Sequence, residues 1–233
     1  MSRSLRVSFY IDGFNIYHRI KEYQRKTGKV YNWLDYKKLC QSFLRENETL
    51  ADIYFFTAVS DEFGQDSVVR HNKYTKALSL RGIKIIRGYF SKKKKRCRVE
   101  GCDYKGSKYF KDREEKQTDV NIALHIIKDA IQNKYDRCFL MSGDNDFAPV
   151  LQTVMEIFPN KQVGLITPPF EDGIVNLTPM TALKNVAYEN PQTRKKLSIK
   201  LHFNDLKGFS LPQDIKDDNG KVLVEMPKEY SQF

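Results

Sequence analysis

"FYIDGFNIYH", residues 9–18, joins an apolar stretch directly to an aspartate, a glycine and an asparagine, just where a helix begins. The residues before it extend the apolar stretch to "LRVSFYID" (5–12), which predicts a buried strand. Asp12 is therefore expected at the carboxyl end of this strand. There it is either ordinary turn chemistry or one wall of a site, and the other motifs of the chain distinguish the two.

Helical and extended patterns alternate along most of the chain. Helices are predicted from Asn15 to Lys26 and over 34–47, 66–82, 118–134, 147–158 and 178–189, and further strands over 51–59, 83–90, 137–143 and 162–167. Continuous apolar strands that alternate with helices predict an α/β fold with a mostly parallel sheet covered on both faces. From Pro191 the pattern changes to short extended pieces, and Asn219-Gly220 predicts a hairpin turn. We therefore divide the chain into a core domain (1–190) and a C-terminal extension (191–233).

The composition is that of a basic globular protein. Forty Lys and Arg against 29 Asp and Glu give a net charge of +11, which favours a polyanionic partner such as nucleic acid, although solubility alone would also explain it. No apolar run approaches the roughly 20 residues that cross a bilayer, and the amino terminus has no apolar signal segment. We therefore expect a cytoplasmic protein without a membrane segment, whose four cysteines do not form disulfides.

Three further carboxylates follow the pattern of Asp12. The segment "SGDNDF" (142–147) places Asp144 and Asp146 just past the carboxyl end of the strand 137–143, and Asp119 opens the helix before that strand. Ligands bind doubly wound sheets outside the carboxyl ends of the strands, where the strand order reverses. If the first strand and the strand 137–143 are neighbours there, the four carboxylates share one crevice. Because crowded carboxylates repel one another, we expect a hard divalent cation, Mg²⁺ or Mn²⁺, among them.

Ordinary structural roles would also explain some of these residues. Asp146 is expected to cap the helix that begins near Phe147, and Asp119 suits the positive end of a helix dipole. Asp144 has no such role if Asp146 is the cap, and Asp12 ends a strand that a glycine could have ended. The convergence of all four residues favours a site.

Three motifs also resemble a known family. "FYIDGFNIY" (9–17), "EEKQTDVNIA" (114–123) and "LMSGDNDFAPVL" (140–151) are similar in order and spacing to the NYN domain, a PIN-like group of predicted ribonucleases that includes LabA-like proteins. The resemblance implies a three-layer α/β/α Rossmann-like (PIN-like) fold and an endoribonuclease that uses Mg²⁺ or Mn²⁺. By position it implies metal-binding and catalytic roles for the carboxylates Asp12, Asp119, Asp144 and Asp146, with Asn15 and Ser142 as polar support. Gln117 and Thr118 separate Lys116 from Asp119, a departure from the family pattern that leaves the substrate contact of Lys116 less defined.

The segment "SKKKKRCRVEGCDYKGSKYFKDREEK" (91–116) is predicted to be a basic loop bordering the site. Its cations Lys92, Lys93, Lys94, Lys95 and Arg96, interleaved further on with aromatic residues, predict contacts with RNA phosphates and unstacked bases. A solvated flexible loop would have the same composition. Cys97 and Cys102 would supply half of a zinc site only if two loops met across a homodimer.

Two other functions stay open. A small-molecule phosphohydrolase also uses strand-end aspartates, but it would not need so basic a segment. Gly13 and Phe14 follow Asp12 where many such phosphatases have a second aspartate nearby. The alternative is a non-catalytic RNA-binding or protein-interaction module, in which the aspartates serve folding.

Overall fold

The computed structural model describes residues 4–59, 64–177 and 179–231. The strands are β1 (Leu5–Asp12), β2 (Glu48–Thr57), β3 (Lys84–Arg87), β4 (Tyr89–Arg96), β5 (Tyr109–Lys116), β6 (Arg137–Met141), β7 (Gln162–Ile166), β8 (Ser198–Ile199), β9 (Asp214–Lys216) and β10 (Val222–Glu225). The α-helices are α1 (Gly13–Thr27), α2 (Tyr36–Ser42), α3 (Gln65–Leu80), α4 (Thr118–Ile131), α5 (Ala148–Ile157) and α6 (Thr181–Val186). Short 3₁₀ turns occupy Asn145–Phe147, Phe203–Leu206 and Lys228–Tyr230.

Six strands form a central parallel sheet in the order β3-β2-β1-β6-β7-β8. The chain moves outward from β1 through β2 to β3, and then returns to the other side of β1 with β6. The strand order therefore reverses between β1 and β6, as in doubly wound nucleotide-binding folds. The predicted α/β class, the parallel sheet and the pairing of the first strand with the 137–143 segment are confirmed.

β1 is buried on both faces, which explains its continuous apolar sequence. Val7, Phe9 and Ile11 belong to the core beneath α1, α2 and α3, whereas Tyr10 belongs to the core beneath α4, α5 and α6. Because side chains alternate along a strand, one eight-residue segment anchors both cores. The molecule accordingly has three layers.

Several elements end earlier than the sequence predicts. α2 covers only part of the predicted helix 34–47. Asp35 caps its start by accepting hydrogen bonds from the backbone of Lys37 and Lys38, both at 3.1 Å, and the helix ends with Phe43 as its C-cap, whose N–H donates to the Cys40 carbonyl. The predicted strand 83–90 divides at Gly88, whose N–H donates to the Thr57 carbonyl at 2.9 Å. β3 therefore ends the central sheet, and β4 leaves it. The predicted helix 178–189 contracts to α6, and Thr178 lies outside the described residues.

The segment 91–116 is not the predicted loop. β4 and β5 pair as an antiparallel ribbon, from Tyr89 opposite Lys116 to Arg96 opposite Tyr109. Ion pairs support the ribbon, since Glu114 of β5 binds Lys93 across the strands and Lys116 on its own strand. The apolar pattern could not predict these strands, because most of their side chains are charged.

The C-terminal extension packs against the rest of the fold. β8 pairs with β7, and the Phe203 ring stacks on Tyr23 with ring centroids 3.8 Å apart. β9 and β10 form an antiparallel hairpin whose turn contains Gly220 in the left-handed region, at φ 81°. The division at residue 190 stays a prediction. None of the described helices is long and apolar enough to cross a membrane.

Candidate active site

The carboxyl ends of β1 and β6 meet through a hydrogen bond between side chains. Ser142 Oγ donates to Asp12 Oδ2 at 2.8 Å, and Asp12 Oδ1 accepts from the Asn15 backbone N–H at 3.0 Å. Asp12 is only 5% exposed. Burial raises the pKa of Asp12 to about 6 against the effect of these two hydrogen bonds, and the charges of Asp119 and Asp144 raise it further. Asp12 is therefore both the cap of α1 and a buried carboxylate.

Gly13 explains how a helix begins directly after the strand. A Cβ at this position would lie 2.4 Å from Phe55 Cζ and 2.7 Å from the Phe56 carbonyl oxygen of β2. Glycine alone lets the first turn of α1 approach β2 this closely. That turn carries Asn15, whose Oδ1 accepts from the Gly143 N–H at 3.3 Å and so joins α1 to the loop after β6.

Asp144, not Asp146, is the cap in the "SGDNDF" segment. Asp144 Oδ1 accepts from the Asp146 N–H at 3.0 Å, and the Asp144 N–H donates to Ser142 Oγ at 3.2 Å. The expected cap at Asp146 is wrong because a 3₁₀ turn precedes α5 and moves the start of helical structure two residues upstream. Asp146 is exposed in this turn.

Asp119 lies in the first turn of α4 and is exposed. The chain enters α4 through Gln117, which takes the left-handed conformation at φ 75°. Partial loss of its hydration beside the neighbouring segments raises the pKa of Asp119, and the charges of Asp144 and Asp146 raise it further. The carboxylates of three separate segments are therefore close enough to interact electrostatically.

Glu115 is a further carboxylate here that the sequence analysis did not single out. It is the penultimate residue of β5, opposite Phe90, and no hydrogen bond reaches its buried Oε1 within the described part of the chain. Burial raises the pKa of Glu115 to about 7 against the effect of the neighbouring Thr118 hydroxyl, and the charges of Asp12 and Asp119 raise it further. Its position directly before "KQTD" (116–119) could have indicated Glu115 in the sequence. The segment was predicted to be a loop, however, and a loop does not show on which side its side chains lie.

The donor chemistry of this edge fits a hard divalent cation. The donors are carboxylate oxygens whose charges oppose one another, and Glu115 has a buried oxygen without a partner among the described residues. Within those ranges no group of three His, Cys, Asp or Glu side chains forms a ready-made metal cage. Such an open set suits Mg²⁺, which keeps several waters and binds one or two carboxylates directly.

The predicted basic residues lie beside this edge or further along the ribbon. Lys116 Nζ binds Glu114 Oε1 at 2.8 Å, so this lysine is engaged within the ribbon. The exposed cations follow β4 away from the site: Lys92, Lys93, Lys94, Lys95 and Arg96. Cys97 and Cys102 are free thiols in the turn between the two ribbon strands.

Comparisons with known proteins identify the class. The NYN domain family matches residues 6–173, and the chain belongs to this family. A curated relative from Pseudomonas putida, named 6-hydroxy-3-succinoylpyridine 3-monooxygenase HspA, is 28% identical over 195 residues. That alignment covers 72% of this chain and 61% of the relative, so the chain spans about three fifths of that protein.

A crystal structure of a protein of unknown function from Vibrio parahaemolyticus has a similar fold. Its TM-score is 0.53 at 18% identity, over 91% of this chain and 99% of that one. This likeness shows the fold alone. Membership of the NYN family supports a nuclease-type function related to RNA.

Proposed function

We propose that this protein is a metal-dependent endoribonuclease that hydrolyses RNA phosphodiester bonds at the carboxyl edge of its sheet, in the cytoplasm. The observation that carries the proposal is the meeting of β1 and β6 at their carboxyl ends, where Ser142 Oγ donates to Asp12 Oδ2 and accepts from the Asp144 N–H. Asp119 and Asp144 raise the pKa of Asp12, and Asp144 and Asp146 raise that of Asp119. Such crowding costs free energy unless a cation compensates it, and membership of a nuclease family supports the same reading.

Asp12, Asp119, Asp144 and Asp146 would hold Mg²⁺ or Mn²⁺, which supplies polarisation of a phosphate oxygen and a more acidic bound water. Ser142 keeps the Asp12 carboxylate oriented through their hydrogen bond. Asn15 Oδ1 is held by the Gly143 N–H, which leaves the amide N–H groups of Asn15 to donate to a phosphate oxygen or water.

The ribbon would hold the substrate. Its row of lysines supplies contacts for RNA phosphates, and the exposed aromatic residues Tyr104, Tyr109 and Phe110 supply faces for unstacked bases. Because β5 leads directly into α4, RNA bound along the ribbon reaches the carboxylates at its base.

Asparagine variants of the two capping aspartates test the proposal. Asparagine caps helices as well as aspartate does, so Asp12→Asn and Asp144→Asn remove charge and keep the caps. We expect each to lower Mg²⁺-dependent RNA cleavage by about 100-fold or more. Asp144→Asn should change thermal stability little, whereas Asp12→Asn also loses one of the two hydrogen bonds that the buried carboxylate accepts. Asp218→Asn, at an exposed turn residue, is the matched control and should cleave like the wild type.

The same assay separates the alternatives. Single-stranded and structured RNA are incubated with Mg²⁺ or Mn²⁺ beside a panel of phosphomonoesters. Phosphate release from small esters without RNA cleavage would indicate a phosphohydrolase. RNA binding without any metal-dependent cleavage would indicate a non-catalytic module and refute the proposed activity.

A second candidate comes from the Pseudomonas relative, whose name describes oxidation of a small aromatic compound. A cavity of about 570 Å³, lined mainly by aromatic side chains, lies next to the start of α1 and gives this candidate structural support. Consumption of 6-hydroxy-3-succinoylpyridine, with dioxygen and a two-electron donor supplied, would favour it. Unchanged turnover in Asp144→Asn would separate that reaction from the nuclease.

A further inference from the structure

The cavity beside α1 is a second concave site, and we call it the aromatic cavity. It lies between α1, the carboxyl end of β2 and α3, and its volume of about 570 Å³ is within the range of pockets that hold small ligands. Eight Phe and Tyr rings contribute to its walls: Phe14, Tyr17, Tyr31, Tyr36, Phe55, Tyr74, Phe90 and Tyr230. Tyr36 and Phe55 are buried with ring centroids 5.3 Å apart, so this wall is already packed and offers a flat ligand fixed aromatic surfaces.

Asn32 holds an unsatisfied acceptor within the wall of this cavity. The residue is only 7% exposed, and its Oδ1 has no hydrogen-bond partner in the part of the chain that the structure describes. A buried polar atom of this kind is costly unless a ligand or water completes it. Asn32 lines the cavity, and a rotation of its side chain would present this oxygen to a ligand with an N–H or O–H donor.

His71 adds a neutral polar edge to the same cavity. Its Nε2 lies 3.3 Å from Thr57 Oγ1. Burial lowers the pKa of His71 to about 4, and the charge of Arg87 acts in the same direction, so the ring is uncharged at neutral pH. A neutral imidazole beside a hydroxyl can hydrogen-bond the polar edge of an uncharged ring, and it suits such a ligand better than it suits a charged ligand group.

Two cationic side chains line the aromatic cavity. Arg70 of α3 binds Glu229 at 2.9 Å, and Lys21 lies on α1. Burial lowers the pKa of Lys21, and the nearby charge of Arg70 adds to the effect. Because Glu229 already pairs with Arg70, the two cations and one carboxylate leave a net positive charge that attracts an anionic substituent such as a phosphate.

We propose that the aromatic cavity binds a planar nitrogen heteroaromatic ring that carries a hydrogen-bond donor, with an anionic substituent at Arg70 and Lys21. A nucleobase with its phosphate has this chemistry, and stacking on aromatic side chains is its usual mode of binding. The ring reaches the cavity either as a base of an RNA strand or as a free mononucleotide. Recognition of the ring does not depend on any reaction at the carboxylates.

The position of the aromatic cavity links it to the carboxylate edge. Phe14 follows Gly13 and Asp12 directly, and Phe90 pairs in register with Glu115. A base in the cavity and a phosphate at the carboxylates would thus belong to neighbouring parts of one strand. The cavity would then contribute sequence preference that the ribbon lysines cannot supply.

Calorimetric titration of the full chain tests the inference. The four nucleoside 5′-monophosphates and a short single-stranded oligoribonucleotide are titrated in EDTA, so that no metal is needed. Ser67→Trp fills the cavity from α3, and we expect it to weaken nucleotide binding by about tenfold or more. Val69→Trp, on the same helix at a position 45% exposed and outside the cavity lining, should bind like the wild type.

A second variant protects the test against misfolding. Asn32→Leu removes the unsatisfied acceptor, so it should fold as well as the wild type and lose about tenfold in affinity. Weakened oligoribonucleotide binding in both variants would identify an RNA base as the source of the ring, and weakened mononucleotide binding alone would identify a free nucleotide. The inference is overturned if no nucleotide binds the wild type, or if both folded variants bind as tightly. Because these titrations require no cleavage, either result leaves the nuclease proposal to its own assay.

Discussion

Ser142 and Asp12 are joined by a hydrogen bond of 2.8 Å from the serine hydroxyl to the buried carboxylate, across the point where the strand order reverses. The same hydroxyl accepts the Asp144 N–H at 3.2 Å. One small side chain therefore holds together the ends of β1 and β6. Its donated proton favours the charged form of Asp12, against the burial that raises the pKa of this carboxyl.

Ser142→Ala should raise the pKa of Asp12 further and release the loop that carries Asp144. We expect a loss of about 1–2 kcal/mol in the free energy of unfolding and about a tenfold loss of Mg²⁺-dependent cleavage. Urea unfolding and a cleavage assay measure the two effects. Ser79→Ala, at an exposed position of α3, is the control. Wild-type stability and activity in Ser142→Ala would show that the hydroxyl does not support the carboxylate.

Gly13→Ala should destabilise the fold through steric overlap. The new methyl group would meet the Phe55 ring at 2.4 Å and the Phe56 carbonyl at 2.7 Å, so α1 would have to move away from β2. We expect a cost of about 2–3 kcal/mol in unfolding free energy. Gly28→Ala is the comparison, because its Cβ meets no atom within 4 Å and only the positive φ of 76° opposes it, at about 1 kcal/mol. Equal costs for the two variants would contradict the close approach.

His71 should make the fold sensitive to acid. Its pKa is about 4 in the folded chain and about 6.5 when unfolded, so between these values only the unfolded chain takes up the proton. The associated stability is complete above pH 6.5 and is lost as the pH falls toward 4, by about 2 kcal/mol at pH 4.5. His71→Gln should flatten this dependence in urea unfolding at pH 7 and pH 4.5. Lys73→Gln, an exposed change on the same helix, should retain the wild-type slope.

Charge reversal on the ribbon should weaken RNA binding. Lys92 and Lys94 are two residues apart on β4 and therefore face the same side. The double change of both to Glu should lower affinity by at least about tenfold and reduce the slope of log affinity against log salt by about 1.4. A matched double change at Lys216 and Lys221, in the β9–β10 hairpin, alters the net charge equally. Equal losses in both variants would mean that overall charge, not the ribbon, binds RNA.

The sequence predicted the parts of the site that depend on strand ends. Asp12 follows an apolar strand, and parallel strands present their carboxyl ends at one edge, so its meeting with Ser142 and Asp144 could be foreseen. The role of Asp144 as the helix cap could not be foreseen, because a 3₁₀ turn has no apolar period that separates it from the start of α5.

Other features lacked a local signal. The charged strands β4 and β5 show no apolar alternation, so the sequence does not predict which face of the ribbon carries Glu115. β8 has two residues, too few for any period. The ion pair between Arg137 and Glu48 joins residues 89 positions apart, with side chains 7% and 1% exposed. Such pairings are fixed only when the whole sheet assembles.

The pairing of β8 with β7 has a consequence for how the protein matures on the ribosome. The edge of β7 and the ring of Tyr23 receive their partners from residues 198–203, which follow all the other central strands in the chain. During translation these partners emerge after every other central strand, so the edge of β7 stays open until β8 has been synthesised. The nascent sheet is therefore exposed to pairing with other chains over this interval.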